Sequence, residues 1–312
     1  MSTLEVGSIG HPRVSIALCT YNGARYLREQ LDSLLSQSHP NIEIVATDDA
    51  SQDESQKVLH HYASLDSRVS VVTNSKRLGF SSNFSATLQR CSGSYICPCD
   101  QDDIWHPDKI TRLLKAIQGH DLVYCDSAMV NSEGVSLNRR LSQDRGMYSG
   151  RDPLTFLLTN CISGHAMLFR RSLLDRAKPF PSGIYYDWWI SIVAATGNGV
   201  LYVDEPLVYF RRHQSTVTSF GNVRKPIGIK MRAFLEERIV LLDAMKRLQS
   251  ARQMDIERLH DALRHWLDEG RGWLFLKELW RHHRAVLHVL RPRLPQVALQ
   301  SFKYLTHLGR RP

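Results

Sequence analysis

Through residues 14–125, short apolar runs alternate with segments of helical periodicity, and that alternation narrows the architecture more than any other property of the chain. Val14–Thr20 (VSIALCT) is a continuous aliphatic and β-branched run, the pattern of a strand buried on both faces. It breaks at Asn22-Gly23, after which Tyr26, Leu27, Leu31, Leu34 and Leu35 recur on one helical face. Ile42–Thr47, Val69–Thr73, Tyr95–Cys99 and Leu122–Cys125 predict four more strands. Between them the periodicity predicts helices at Asp53–Leu65, at Asn83–Cys91 and after Pro107, a residue tolerated at a helix start. Strands linked by helices of this length need crossover connections. The sequence therefore predicts an α/β fold with a mainly parallel central sheet.

In such sheets ligands bind at the carboxyl ends of the strands, near a switch in strand order. Those ends read Thr20-Tyr21-Asn22, Asp48-Asp49, Asn74 and Asp100-Gln101-Asp102-Asp103. Three carboxylates this close repel one another unless they are protonated or bridged by a cation. Oxygen ligands favour a hard divalent ion, Mg²⁺ or Mn²⁺, which also binds phosphate oxygens; the plainer alternative is a helix cap at Asp102 or Asp103. No GxGxxG follows the first strand and no GxxxxGK[ST] occurs anywhere, so the two common glycine-rich phosphate loops are excluded. A nucleotide would then be held by a metal on its phosphates and by side chains on its base. Tyr21 offers a stacking face, and Asp49 a carboxylate able to accept a pyrimidine imide N–H.

Residues 131–160 are loop-rich and basic, a candidate mobile cover for the site, and residues 200–210 (VLYVDEPLVYF, starting at Val200) predict two short strands around Glu205-Pro206. The six cysteines form no CxxC pair and read as buried thiols. The opening MSTLEVGSIGHPR lacks a basic patch followed by an apolar block, and no run approaches the length of a spanning helix. The expectation is a cytoplasmic protein. Charge divides the chain in two: from residue 221 onward 19 Lys and Arg face 9 Asp and Glu, while residues 1–220 hold the remaining 21 and 22. This predicts a catalytic unit over 1–220 and a basic helical region over 221–312.

The runs VSIALCTYNGARYLREQLDSLLSQ, IEIVATDDASQDES and NFSATLQRCSGSYICPCDQDDIWHPDKI resemble family 2 inverting glycosyltransferases of the GT-A fold. GHAMLFRRSLL, YYDWWISIVAA and VYFRRHQSTV look like the bacterial rhamnosyltransferase branch. The resemblance spans about residues 12–218. It implies Thr20, Tyr21 and Asn22 in the nucleotide pocket, Asp49 on the base, and Asp100 and Gln101 near the ribose. It further implies Arg77 near the diphosphate, Asp102 and His213 on the metal, and Asp103 in support. Asp187, in Tyr186-Asp187-Trp188-Trp189, matches the catalytic base, the alternative being a carboxylate that caps its helix. Ala46, Thr47 and Gln101 depart from the family's usual residues without removing a catalytic group. The implied reaction moves a sugar, rhamnose being one candidate, from a dTDP- or UDP-linked donor to a glycan or lipid-linked acceptor, with Mg²⁺ or Mn²⁺ as cofactor. Trp188 and Trp189, beside the base, are expected to offer an acceptor platform, since sugars lay their C–H faces on aromatic rings.

Beyond the resemblance, Trp266, Trp273 and Trp280 recur every seven residues amid arginines and leucines. A cationic amphipathic surface for anionic lipid and an ordinary core seam both fit that spacing. No nucleic-acid-binding module accompanies the charge. Two other functions remain open from sequence. A sugar-phosphate nucleotidyltransferase would need cationic phosphate grips near a Gly-rich first loop, which Tyr21–Tyr26 does not supply; a non-catalytic protein would act through the basic tail.

Overall fold

The computed structural model describes residues 11–213, 227–270 and 272–290. The boundary expected near residue 220 lies outside them. The predicted strands form β1 (Val14–Thr20), β2 (Ile42–Asp48), β3 (Val69–Thr73) and β4 (Tyr95–Cys99), then, after the two-residue β5 (Ile104–Trp105), β6 (Leu122–Val130). The helices between them are α1 (Ala24–Leu35), α2 (Ser55–Leu65), α3 (Phe80–Arg90) and α4 (Lys109–Ile117). There follow β7 (Ser136–Arg140), β8 (Met167–Arg170), α5 (Ser172–Ala177), α6 (Tyr186–Ala195) and β9 (Val200–Arg211). Helices α7 (Ile227–Met245), α8 (Gln253–Glu269), α9 (Trp273–Arg281) and α10 (His283–Val286) complete the described chain.

One sheet runs β3-β2-β1-β4-β8-β6-β9-β5, with β7 on β6. The β3-β2-β1-β4 half is parallel, and β8 runs antiparallel to both β4 and β6. Chain order departs from β1 in both directions, to β2 on one side and β4 on the other. The crevice this opens lies at the carboxyl ends of β1 and β4, where the polar strand ends were noted. Residues 200–210 differ from expectation: β9 is one strand of 12 residues. Its pairing with β6 shifts register around Pro206, which has no N–H to give the ladder, so the proline makes an irregularity instead of an end. The segment 131–160 also carries more order than its composition suggests, since β7 lies within it.

The pleat sends alternate residues of β1 to two cores. Val14, Ile16 and Leu18 join Leu27, Leu31 and Leu34 of α1 and Ile110 and Leu113 of α4. Ala17 and Cys19 join Phe84 and Leu88 of α3 and the apolar face of α6. The second core continues without a break into the C-terminal helices, through Leu235, Leu242, Ile256, Leu263, Trp266 and Phe275. All six cysteines are free and buried. Burial pushes every thiol up, to about 12 at Cys91 and Cys97 and about 11 at Cys125 and Cys161. Among the described residues no helix is long and apolar enough to cross a membrane.

Candidate active site

The loop leaving β1 is fixed from three sides. Gln101 accepts from the Tyr21 N–H at 2.8 Å and donates to its carbonyl at 3.1 Å, so its amide is spent on backbone. The side chain packs so closely over Gly23 that a Cβ there would sit 2.1 Å from its Oε1. The Thr20 hydroxyl donates to Asp48, which also accepts from Ser51. Asn22, at φ 48°, accepts from the Gln52 N–H through its own side chain. Gln101 thus holds the loop by its backbone and Thr20 is tied to the Asp48 carboxylate, while Tyr21 presents its ring, covered by the Arg77 guanidinium 3.9 Å from its centroid. Asp49 is buried and accepts the N–H groups of Leu78 and Gly79 at 2.7 and 2.8 Å and the Asn74 amide at 2.9 Å. It orders the whole β3–α3 connection. Its Oδ2 takes one of these bonds, and a carboxylate oxygen has room for about two.

At the end of β4 the carboxylates separate into two tiers. Asp103 has a fully buried side chain; it accepts the Arg211 N–H at 3.1 Å and faces His165 Nδ1 at 3.5 Å. Its Oδ2 has no hydrogen-bond partner. Burial pushes its carboxyl up to about 7, reinforced by Asp102 and Asp100. His165 lies stacked on Phe210, with Nε2 3.0 Å from the Ser127 hydroxyl and Nδ1 3.5 Å from Asp100. Burial disfavours its imidazolium, but Asp103 and Asp100 outweigh that and hold it above the ordinary histidine value. The outer tier is Asp100 and Asp102, with Asp102 Oδ2 2.7 Å from His213 Nε2. Burial and Asp100 raise the Asp102 carboxyl against the pull of His213.

Residues of this kind fit a divalent cation. One ligand atom each from Asp100, Asp103 and His165 all lie within 4.8 Å of one another, and the orphaned Asp103 oxygen is a polar group with an unmet need. A cation that must also reach a substrate phosphate needs ligands open to the pocket. The side chains of Asp100, Asp102 and His213 are 26%, 17% and 11% exposed, whereas Asp103 is sealed at 0% and His165 at 4%. The outer tier is thus the part open to solvent, and the inner tier, which holds the orphaned Asp103 oxygen, lies sealed behind it.

Asp187 stands in the first turn of α6, where a helix N-terminus favours a negative charge. Its Oδ1 accepts the Trp188 N–H at 2.8 Å. Burial is the largest influence on its carboxyl and raises it to about 6. Asp100 adds to this, while Arg145 and the N–H groups of Trp188 and Gly164 work the other way. Asp100 and Asp187 therefore feel each other's charge, and Arg145 of the 141–150 segment adds a positive one. The expected tryptophan platform is a correction. Trp188 and Trp189 are 7% and 3% exposed, donating their indole N–H groups to the carbonyls of Phe156 and Ala177 at 2.7 Å. Arg238 of α7 lies 4.4 Å over the Trp188 ring. Both indoles belong to the core because α6 packs against α5 and the 153–156 turn, with Arg238 laid over Trp188.

Sequence reasoning missed His165 and Arg211. Arg211 is 2% exposed and bonds through Nε to the Asp102 carbonyl at 2.8 Å, through Nη1 to the Ser132 carbonyl at 2.9 Å, and through Nη2 to Glu29. It also lies over the Tyr26 ring. The signal was its place two residues before His213 at the end of an apolar strand, next to a second arginine that hid it.

The sequence model of glycosyl transferase family 2 matches residues 15–177, just over half of the chain and all of the β1–α5 frame that carries these strand ends. The chain belongs to glycosyl transferase family 2. This family 2 transferase is 27% identical over 227 residues to a Haemophilus influenzae protein named an uncharacterized glycosyltransferase, spanning 68% of this chain and 69% of that one. Its fold is similar to that of TarS from S. aureus in complex with UDP-GlcNAc (TM-score 0.60, 17% identity, 88% of this chain and 81% of that one). It is also similar to mannosyltransferase PcManGT from Pyrobaculum calidifontis in complex with GDP-Man and Mn²⁺ (TM-score 0.53, 18% identity, 96% and 81%). These likenesses establish the GT-A-like architecture of the family 2 transferase.

Proposed function

We propose that this family 2 transferase moves a sugar from a dTDP- or UDP-linked donor to a hydroxyl of a glycan or lipid-linked acceptor in polysaccharide synthesis, inverting the anomeric centre. Rhamnose is the candidate sugar. The observation that carries the reading is that Asp187, at the start of α6, lies close enough to Asp100, at the end of β4, for that charge to raise its carboxyl, while Asp102 meets His213 beside Asp100.

In this reading the base lies against Tyr21, hydrogen-bonded to Asp49, and Arg77 leaves the Tyr21 ring to meet the diphosphate. Asp102 and His213, with Asp100, hold Mg²⁺ or Mn²⁺, which when bound supplies Lewis-acid stabilisation of the charge on the leaving diphosphate. Asp103, His165 and Arg211 keep those ligands in place. Asp187 takes the proton of the acceptor hydroxyl as the oxygen attacks. A carboxylate near 6 is a better base at neutral pH than an ordinary aspartate near 3.9, so basicity adds to proximity. With the base and the leaving group on opposite faces of the anomeric carbon, one displacement inverts it. The sealed tryptophans leave acceptor recognition to the rim of the pocket.

The test pairs binding with turnover. Thermal unfolding is followed with UDP or dTDP, with and without Mn²⁺, and a panel of nucleotide sugars is then screened for transfer. The reading expects stabilisation only when nucleotide and ion are both present, and transfer that EDTA abolishes. Asp187→Asn should keep the thermal shift and lose transfer by about 10²–10⁴-fold. Undiminished transfer by that variant would falsify the base assignment, and indifference to EDTA would remove Asp102 and His213 as metal ligands.

A further inference from the structure

The three tail tryptophans do not share a fate. Trp266 of α8 is 8% exposed and packs on Phe275 of α9, their ring centroids 5.9 Å apart. Phe275 is the inward anchor of α9, and Leu274 and Leu279 settle beside it. The opposite side of α9 carries Trp273, Leu276 and Trp280 at 59%, 37% and 73% exposure. Positions i, i+3 and i+7 fall on one helical face. This short helix is therefore apolar on both sides, one turned to the core and one to solvent.

The outer stripe is bordered by cations. Lys277, Arg281 and Arg284 are exposed, and a cavity of about 500 Å³ beside them is lined by Arg252, Arg281, His282, His283 and Arg284. The one acid in its lining, Asp152, pairs with Arg252, which Asp255 also holds, and Glu278 holds Arg281. Arg284 has no ion pair among the described residues. The sequence extends the same charge, with seven Lys and Arg and no Asp or Glu from Arg281 to Pro312.

We propose that the outer face of α9 and the α9–α10 elbow dock on an anionic phospholipid surface. Trp273, Leu276 and Trp280 enter the headgroup boundary, and Arg281, His283 and Arg284 meet lipid phosphates. Indoles with one apolar and one polar edge suit that boundary, and the neighbouring cations suit its charge. A second copy is the weaker occupant, because a two-fold interface would set this cationic border against itself. The inference is independent of the donor chemistry and uses none of its residues.

The full chain is sedimented with vesicles of phosphatidylcholine alone or containing phosphatidylserine at roughly 30 mol %, and tryptophan emission is recorded on the same samples. Binding to the anionic vesicles, weakened by salt and accompanied by a blue shift, is the expected result. Arg281→Ala with Arg284→Ala should lower the anionic partition about 25-fold, at about a factor of five per surface cation. Trp273→Ala with Trp280→Ala should lower it and remove the blue shift. Both double variants should keep the wild-type urea midpoint, since these side chains are exposed. Four results would overturn the proposal: no sedimentation of the wild type with anionic vesicles, equal binding to neutral ones, undiminished binding by the variants, or a dimer that the tryptophan variant dissolves.

Discussion

Asp187→Asn should cost the enzyme its chemistry and make the fold more stable, with a pH signature that identifies the cause. In the folded chain the Asp187 carboxyl is raised to about 6 from the ordinary aspartate value of about 3.9, burial being the main reason. A shift of about two pH units corresponds to about 3 kcal/mol of penalty on the ionised form, at about 1.4 kcal/mol per unit. Asp187 is only half-buried and an asparagine amide also loses water, so a gain of about 1–2 kcal/mol is expected. The sign follows from the raised value. Below the unfolded value the carboxyl is protonated in both states and carries no penalty. The penalty then builds as pH rises from about 4 to about 6 and stays constant above that. Urea unfolding of wild type and variant, followed by tryptophan fluorescence in EDTA buffer, should show a small, constant difference near pH 4 and the full gain near pH 7.5. Keeping cations out matters, because an ion near Asp100 would lower the Asp187 carboxyl. A variant no more stable at pH 7.5, or a gain that ignores pH, would refute the claim that a half-buried carboxylate is held ionised at a cost at the N-terminus of α6.

Two further substitutions test how the site is held. Gly164→Ala places a Cβ 2.0 Å from the Tyr186 hydroxyl and 2.8 Å from its Cζ. Tyr186 is stacked on Phe84 at 4.2 Å and cannot withdraw, so overpacking should cost about 1–3 kcal/mol. The neighbouring base should shift enough to lower kcat about 100-fold while donor affinity changes little; an unaltered kcat would show that Asp187 is not positioned through Tyr186. Arg211→Met removes the donors to the Asp102 and Ser132 carbonyls and to Glu29. Glu29 is 55% exposed and regains water, whereas the half-buried Asp102 and Ser132 carbonyls regain it only in part, so about 1–3 kcal/mol should be lost in urea unfolding. The Mn²⁺-dependent nucleotide shift should weaken in parallel, and Arg211→Lys should restore little, since an ammonium cannot fork to three acceptors. Equal urea midpoints for wild type and Arg211→Met would rule out the clasp.

The parallel half of the sheet was legible because each of its strands is a short, mostly apolar run, as in Val14–Thr20, followed by polar residues and a helical pattern. The second half was less legible. Strands β8 and β9 pair with partners far along the chain, and Pro206 reads locally as a stop although the ladder absorbs it. The carboxylates at 100, 102 and 103 stood out as a cluster, but their division into exposed and sealed tiers depends on His165 and Arg211, which arrive from other elements. Trp188 and Trp189 failed as a platform for a similar reason. Sequence places them beside Asp187, yet consecutive residues on a helix point about 100° apart, and here one indole turns to the 153–156 turn and the other to α5. The seven-residue tryptophan spacing supported a core seam and an exposed stripe equally. Only the turn between α8 and α9 assigns Trp266 to the core and Trp273 and Trp280 to the surface.

The burial of every native thiol has a practical corollary. Thiolates react with maleimides and protonated thiols do so poorly, and here all six sulfurs are both shielded and held well above neutrality. A single cysteine introduced on an exposed loop should therefore label selectively in the otherwise unaltered chain, giving fluorescence or spin-resonance distances without first stripping out the native ones.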